Sequence, residues 1–223
     1  MNKNLTEIVF ILDESGSMGS VKDDTIGGFN EFIEQQKNIK GEAVFTFVKF
    51  SDYYKVIEEG SLLESVKPLN KETYTPSYST ALLDAVGKTI NKVGNRHDTL
   101  DEEDKPGKVL FVIMTDGYEN SSKEFVTEGV ISKMVKNKKS KNDWEFLFLG
   151  ADIDAWSTGQ NLGFSKGRTV TTNKNKMSKN YKSLSHFTAS YRTGGQMMDA
   201  ADSFNMDEAD LDTEISKMSK NKK

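Results

Sequence analysis

Residues 8–17 read IVFILDESGS, an apolar run that ends in Asp13, Ser15 and Ser17 at alternating positions. A buried strand with this ending delivers one carboxylate and two hydroxyls to a single spot at its carboxyl end. These are hard oxygen donors, the kind that a small divalent cation such as Mg²⁺ selects. The spacing alone is a modest signal. A chain with 17 Asp and 21 Ser among 223 residues yields about 0.15 chance copies of it. Two further segments strengthen it. Residues 108–114 (KVLFVIM) are a second apolar run, followed by Thr115, Asp116 and Gly117. A second carboxylate thus follows a second buried strand, and the glycine frees the backbone to turn. Residues 79–85 (STALLDA) set Thr80 at the start of a helical pattern, where its hydroxyl can cap the helix or bind a ligand.

The elements that must position these groups are legible as periodicities. Residues 7–12 (EIVFIL), 43–50 (AVFTFVKF), 108–114 and 144–149 (WEFLFL) read as strands, and their near-continuous apolar character predicts a sheet covered on both faces. Residues 54–57 read as a short strand that pairs back on 43–50 as a hairpin. Helical spacing runs through 21–37, where Val21, Phe29, Phe32 and Ile33 share a face. It recurs through 80–93, with Leu82, Leu83, Val86, Ile90 and Val93. A helix over 122–136 is expected to start at a Ser122 cap. A helix near 152–162, a strand near 168–171 and a helix near 177–192 complete the pattern. The alternation predicts an α/β fold of three layers, doubly wound. Its sheet has six strands and is mostly parallel, with one antiparallel edge strand and helices on both faces. In such a sheet ligands bind beyond the carboxyl ends of the strands, where helices leave in opposite directions. Asp13, Ser15, Ser17 and Asp116 are expected there.

Taken together, the three segments resemble the von Willebrand factor A domain family in its compact prokaryotic and phage form. The metal-ion-dependent adhesion site of that family is met in order by Asp13, Ser15, Ser17, Thr80 and Asp116. Residues 146–163 (FLFLGADIDAWSTGQNLG) resemble its fifth strand and following helix. The resemblance covers roughly residues 5–192. The acidic stretch at 98–105 and residues 193–223 depart from it. The resemblance implies a divalent cation, Mg²⁺ foremost and Mn²⁺ or Ca²⁺ on the same oxygens. Ser15, Ser17 and Thr80 would hold it, with Asp13 and Asp116 near it, some of them through water. Neutral hydroxyls leave such an ion with residual positive charge, so an Asp or Glu of a partner protein would complete its coordination. A non-enzymatic protein-binding module is therefore expected. The alternative is Mg²⁺-dependent phosphoryl transfer with Asp13 as nucleophile. Enzymes of that layout use Asp-x-Asp, and here the second carboxylate is replaced by Ser15.

Composition narrows the remaining classes. The chain has no cysteine, which excludes disulfides, thiolate metal sites and cysteine nucleophiles. A net charge of −4 gives no reason to expect a nucleic-acid partner. No apolar stretch approaches the ~18 residues of a membrane span. The first residues enter a strand at once, so a cytoplasmic protein without a signal peptide is expected. There is no Gly-x-Ser-x-Gly elbow and no phosphate-binding Gly-x-x-x-x-Gly-Lys loop. His97 and His186 read as surface or boundary residues, Asp84 as a hydrogen-bonding residue on its helix, and 95–107 as a surface loop. Residues 133–141 read as a solvated lysine-rich helix end, and Trp156 as partly exposed. Residues 193–223 read as a poorly ordered polar tail. Met197, Met198, Met206 and Met218 in that tail are available to a partner.

Overall fold

The computed structural model describes residues 1–194 and 199–220. In chain order the elements are β1 (Asn2–Asp13), α1 (Lys22–Asn38), β2 (Glu42–Phe50), β3 (Tyr54–Leu62), α2 (Leu82–Thr99), β4 (Pro106–Thr115) and α3 (Glu128–Asn142). They continue with β5 (Glu145–Ala151), α4 (Ala155–Asn161), β6 (Thr169–Thr172), α5 (Met177–Thr193), α6 (Ala200–Asn205) and α7 (Glu208–Met218). The strands form one six-stranded sheet in the order β3-β2-β1-β4-β5-β6. All neighbours are parallel except β3, which runs antiparallel to β2 at one edge. The α/β fold expected from the sequence is the one observed.

The apolar run of β1 is explained by its central place. Ile8, Phe10 and Leu12 enter one layer with Phe29, Phe32 and Ile33 of α1 and Tyr181, Leu184 and Phe187 of α5. Val9 and Ile11 enter the opposite layer with Leu82, Val86 and Ile90 of α2 and Ile131 and Val135 of α3. Side chains alternate across a strand, so only a strand covered twice is apolar at every position. Phe10 meets Phe29 edge-on at 5.6 Å, and Phe29 stacks on Phe47 at 4.6 Å. Gly28 lets α1 and α5 come together, since a Cβ there would stand 2.2 Å from the Tyr181 ring. Chain order reverses between β1 and β4, and the switch point opens a crevice at their carboxyl ends.

Three elements differ from expectation. Helix α3 begins at Glu128, not near Ser122. The backbone N–H groups of 121–125 are committed elsewhere: Ser121 and Ser122 donate to Glu119, and Lys123, Glu124 and Phe125 donate to Asp84. Donors bound to carboxylates are lost to a helical ladder, and the Phe125 ring closes against Gly87 of α2. Asp84 thus has the hydrogen-bonding role expected of it. Part of the expected loop 95–107 is helical, because α2 runs to Thr99 and β4 starts at Pro106. His97 in that last turn stands at a boundary, with Nε2 2.6 Å from Oε2 of buried Glu7.

The third difference is the polar C-terminal stretch, which carries α6 and α7. Leu211 and Ala200 are fully buried, and Ile215 joins Ile39 and Ala189 in a small third cluster. Ser219 bridges Ile39, and the Lys220 N–H donates to the Asn38 carbonyl at 2.6 Å. The apolar positions that hold these helices are few and widely spaced, so the segment reads as polar. His186 on α5, expected at a surface or boundary, is buried beneath α6, with Nδ1 2.9 Å from Ser203 Oγ. Met218 packs beside Ile39, whereas Met197, Met198 and residues 221–223 lie outside the described residues. Leu211→Ala should lower the unfolding free energy by about 2–4 kcal/mol in urea titration. A change under about 0.5 kcal/mol would mark an independent tail.

Candidate metal centre

The five residues come together at the crevice. Asp13 closes β1 and Asp116 follows β4. Across 99 positions of sequence, the Ser17 hydroxyl donates to Asp116 Oδ1 at 2.5 Å. The Ser15 and Ser17 hydroxyls are 3.1 Å apart. Asp13 Oδ1 accepts the Ser15 N–H at 2.7 Å and Oδ2 accepts the Thr115 hydroxyl at 2.6 Å. Thr80 reaches the same corner, since a Cβ on Gly117 would stand 2.8 Å from Thr80 Oγ1. Glycine is therefore needed where the strand-end turn meets that hydroxyl.

None of the three hydroxyls is spent as a helix cap, which is the ordinary use of Ser and Thr in such places. Ser15 precedes a 3₁₀ turn, Gly16–Val21, without capping it by its side chain. Helix α2 begins at Leu82 and receives no side-chain cap from its own N-cap residue. Its first donors are taken from a distance, Leu83 N–H by Glu119 Oε2 at 2.8 Å and Asp84 N–H by Ser122 Oγ at 2.9 Å. Thr80 itself is fixed through its backbone, its N–H donating to Asn120 Oδ1 at 2.8 Å.

A second network holds the crevice rim. Glu14, between Asp13 and Ser15, is fully buried and pairs with Lys49 Nζ at 2.8 Å. It also accepts the Tyr53 hydroxyl and, at 2.5 Å, the Thr75 N–H. The Tyr74 hydroxyl donates to the Asp13 carbonyl at 2.7 Å, Ser77 N–H to the Glu14 carbonyl at 2.9 Å, and Gly16 N–H to the Tyr78 carbonyl at 3.0 Å. These bonds clamp the 73–81 segment, and with it Thr80, onto the end of β1. Burial, with the Glu14 carboxylate beside it, pushes the Tyr53 phenol far above its usual range. Sequence reasoning missed this network. Its trace was Lys49, the one charged residue of the 43–50 run.

The electrostatics are those of two neighbouring carboxylates with more negative than positive charge around them. Burial lifts the Asp13 carboxyl from 3.8 to about 6, against the pull of its bonds from Thr115 and Ser15, and Asp116 adds repulsion. Asp116 Oδ2 is buried and accepts no hydrogen bond, with Lys174 Nζ near it. Among the described residues no three His, Cys, Asp or Glu side chains converge as a metal site, so an ion here would depend on hydroxyls. Two carboxylates and three hydroxyls fit a hard cation and offer nothing to a soft one.

No family model matches the sequence, and no curated protein matches it. Its fold, however, has counterparts among solved structures. Proximal thread matrix protein 1 from the mussel byssus superposes with a TM-score of 0.56 at 16% identity, over 83% of this chain and 47% of that one. The ArnB paralog VWA2 from Sulfolobus acidocaldarius gives 0.54 at 17% identity, over 83% and 45%. The fold is of the von Willebrand factor A type. The chain spans about half the length of those two proteins. Manganese-loaded TRAP protein of Plasmodium vivax shares the VWA-type fold with a TM-score of 0.53 at 17% identity, over 80% of this chain and 72% of that one. A second structure of the mussel protein has a zinc-occupied MIDAS motif.

The buried Asp13 of this VWA-type crevice has a measurable consequence. Its raised pKa means that the folded, metal-free chain keeps a proton the unfolded chain has lost. The stability it contributes is present below about pH 4 and lost as pH rises through about 6. In EDTA, Asp13→Asn should gain on the wild type by something on the order of 2–3 kcal/mol between about pH 4 and pH 7 in urea unfolding. A difference that does not change with pH contradicts the raised value.

Proposed function

We propose that the chain is a metal-dependent protein-binding module. Ser15, Ser17 and Thr80 hold a divalent cation, with Asp13 and Asp116 beside it directly or through water. Mg²⁺ is the proposed ion, with Mn²⁺ or Ca²⁺ as alternatives for the same oxygens. Bound there, the cation supplies a positive coordination position open to a carboxylate of another protein. The observation that carries this reading is the meeting of Ser17 Oγ with Asp116 Oδ1 and Ser15 Oγ, hydroxyls free of capping duty beside an under-neutralised carboxylate pair. The zinc and manganese held by proteins of like fold support a divalent ion in general.

The chain's own residues divide the work. Asp13 orients the Ser15 backbone and the Thr115 hydroxyl, and Asp116 aims the Ser17 hydroxyl. Around the crevice Tyr78 is 72% exposed and Tyr118 56% exposed, aromatic area of the sort enriched at protein interfaces. Tyr78 is held at φ +64°, an unfavourable backbone conformation for a bulky residue. Gly16 N–H on its carbonyl fixes it there. The reading is non-enzymatic. Asp13 is fully buried with both carboxylate oxygens already accepting hydrogen bonds, which leaves it poorly placed as a phosphoryl nucleophile. Among the described residues no helix is long and apolar enough to cross a membrane. A cytoplasmic setting belongs to the proposal, and a cysteine-free chain needs no oxidising compartment to fold.

Titration calorimetry tests the ion. Metal-stripped wild type should bind Mg²⁺ or Mn²⁺. The double variant Ser15→Ala, Ser17→Ala should lose more than the roughly 10–100-fold that outer partners of a metal control. Equal binding by both proteins would remove the site from these residues. The docking half is read by capture of protein partners, which should be present in Mg²⁺ and absent in EDTA.

A further inference from the structure

The two oxygens of Asp116 have different surroundings. Oδ1 accepts the Ser17 hydroxyl at 2.5 Å. Oδ2 accepts no hydrogen bond, yet Lys174 Nζ lies 2.7 Å from it. The contact is one of charge, off the direction a hydrogen bond requires. Lys174 opens the 3₁₀ turn Lys174–Lys176 after β6, and its backbone is well fixed. Its N–H donates to Asp152 Oδ1 at 3.3 Å, while Asp152 N–H donates to the Thr172 carbonyl at 3.0 Å. Next to it, the Asn173 carbonyl accepts from Asn180 Nδ2 at 3.1 Å.

The charged ends of the pair differ in their freedom. The Asp116 side chain is fully buried, whereas that of Lys174 is 22% exposed. An ammonium is a compact, strongly hydrated charge on a flexible four-carbon stem. It can withdraw into water, and the carboxylate cannot.

Building on the metal reading above, we propose that Lys174 is a tethered counter-cation that occupies the Asp116 edge of the site and is exchanged for the divalent ion. In the metal-free chain Lys174 neutralises one of two buried carboxylates that would otherwise repel each other. The ammonium and a divalent ion bound to the same carboxylate would be like charges within a few ångströms, in a crevice that screens poorly. Ion binding therefore includes withdrawal of Lys174, and the lost contact is subtracted from the affinity. A purely structural Lys174, tying the β6 turn to the end of β4, predicts the opposite pattern: its removal would loosen the fold and leave the ion no better held.

Mg²⁺ titrated into the metal-stripped full chain distinguishes the two. Lys174→Met keeps the stem and removes the charge. It should bind Mg²⁺ about tenfold more tightly than wild type, and melt lower than wild type in EDTA. Lys176→Met, an exposed lysine on the same turn, should change affinity by less than about threefold, because screened surface charge acts weakly. Binding by Lys174→Met but not by wild type also supports the exchange. Binding by wild type without a gain in Lys174→Met overturns the exchange and leaves the metal reading intact. No binding by any protein overturns both. Should Lys174→Met fail to fold, Lys174→Arg carries the test. Its guanidinium grips a carboxylate through two parallel bonds. Weaker Mg²⁺ binding than wild type then supports exchange, and equal or tighter binding overturns it.

Discussion

Two carboxylates stand buried side by side at the carboxyl edge of the sheet, and the arrangement around them follows from the need to hold that charge. Asp13 is fully buried and Asp116 nearly so. One ammonium, that of Lys174, stands against the pair. The rest of the surroundings are hydroxyls from Ser17 and Thr115 and a backbone N–H from Ser15. Such a site is held open by the sheet. Parallel pairing of β1 with β4 sets the two strand ends next to each other, and burial on both faces leaves them no freedom to part.

Function follows from which groups are left over. Ser and Thr near a helix start are ordinarily consumed as caps. Here Glu119 and Ser122 cap α2 from a loop distant in sequence, so Thr80 keeps its hydroxyl for the crevice. Glu14 does the corresponding work on the other side. With Lys49, Tyr53 and Thr75 it binds the 73–81 segment to the strand end, so that the donors are positioned before any ligand arrives. Preorganisation of this kind lowers the ordering entropy left for binding.

The sequence carried much of the fold and the list of candidate residues, because both are written in short-range pattern. Apolar runs marked strands covered twice, and Asp13, Ser15 and Ser17 stand within five positions of one another. What escaped was set by distant partners. Nothing near Ser122 says that its neighbours' N–H groups will be taken by Asp84 and Glu119, so α3 was placed about six residues early. The C-terminal helices rest on sparse contacts such as Leu211 and Ile215, and their mean composition reads as a tail. His186 lies on an amphipathic helix, and the Ser203 hydroxyl that meets it comes from α6, an element the pattern did not show. Lys174 lies 58 positions from Asp116 in the numbering, in a turn with no pattern that distinguishes it from the lysines beside it.

The most direct measurement is anomalous diffraction at the manganese edge from crystals of the metal-stripped chain soaked in Mn²⁺. A single strong peak is expected within coordinating distance of the hydroxyl oxygens of Ser15, Ser17 and Thr80. A peak held by other residues, or none at this crevice at saturating Mn²⁺, would contradict it.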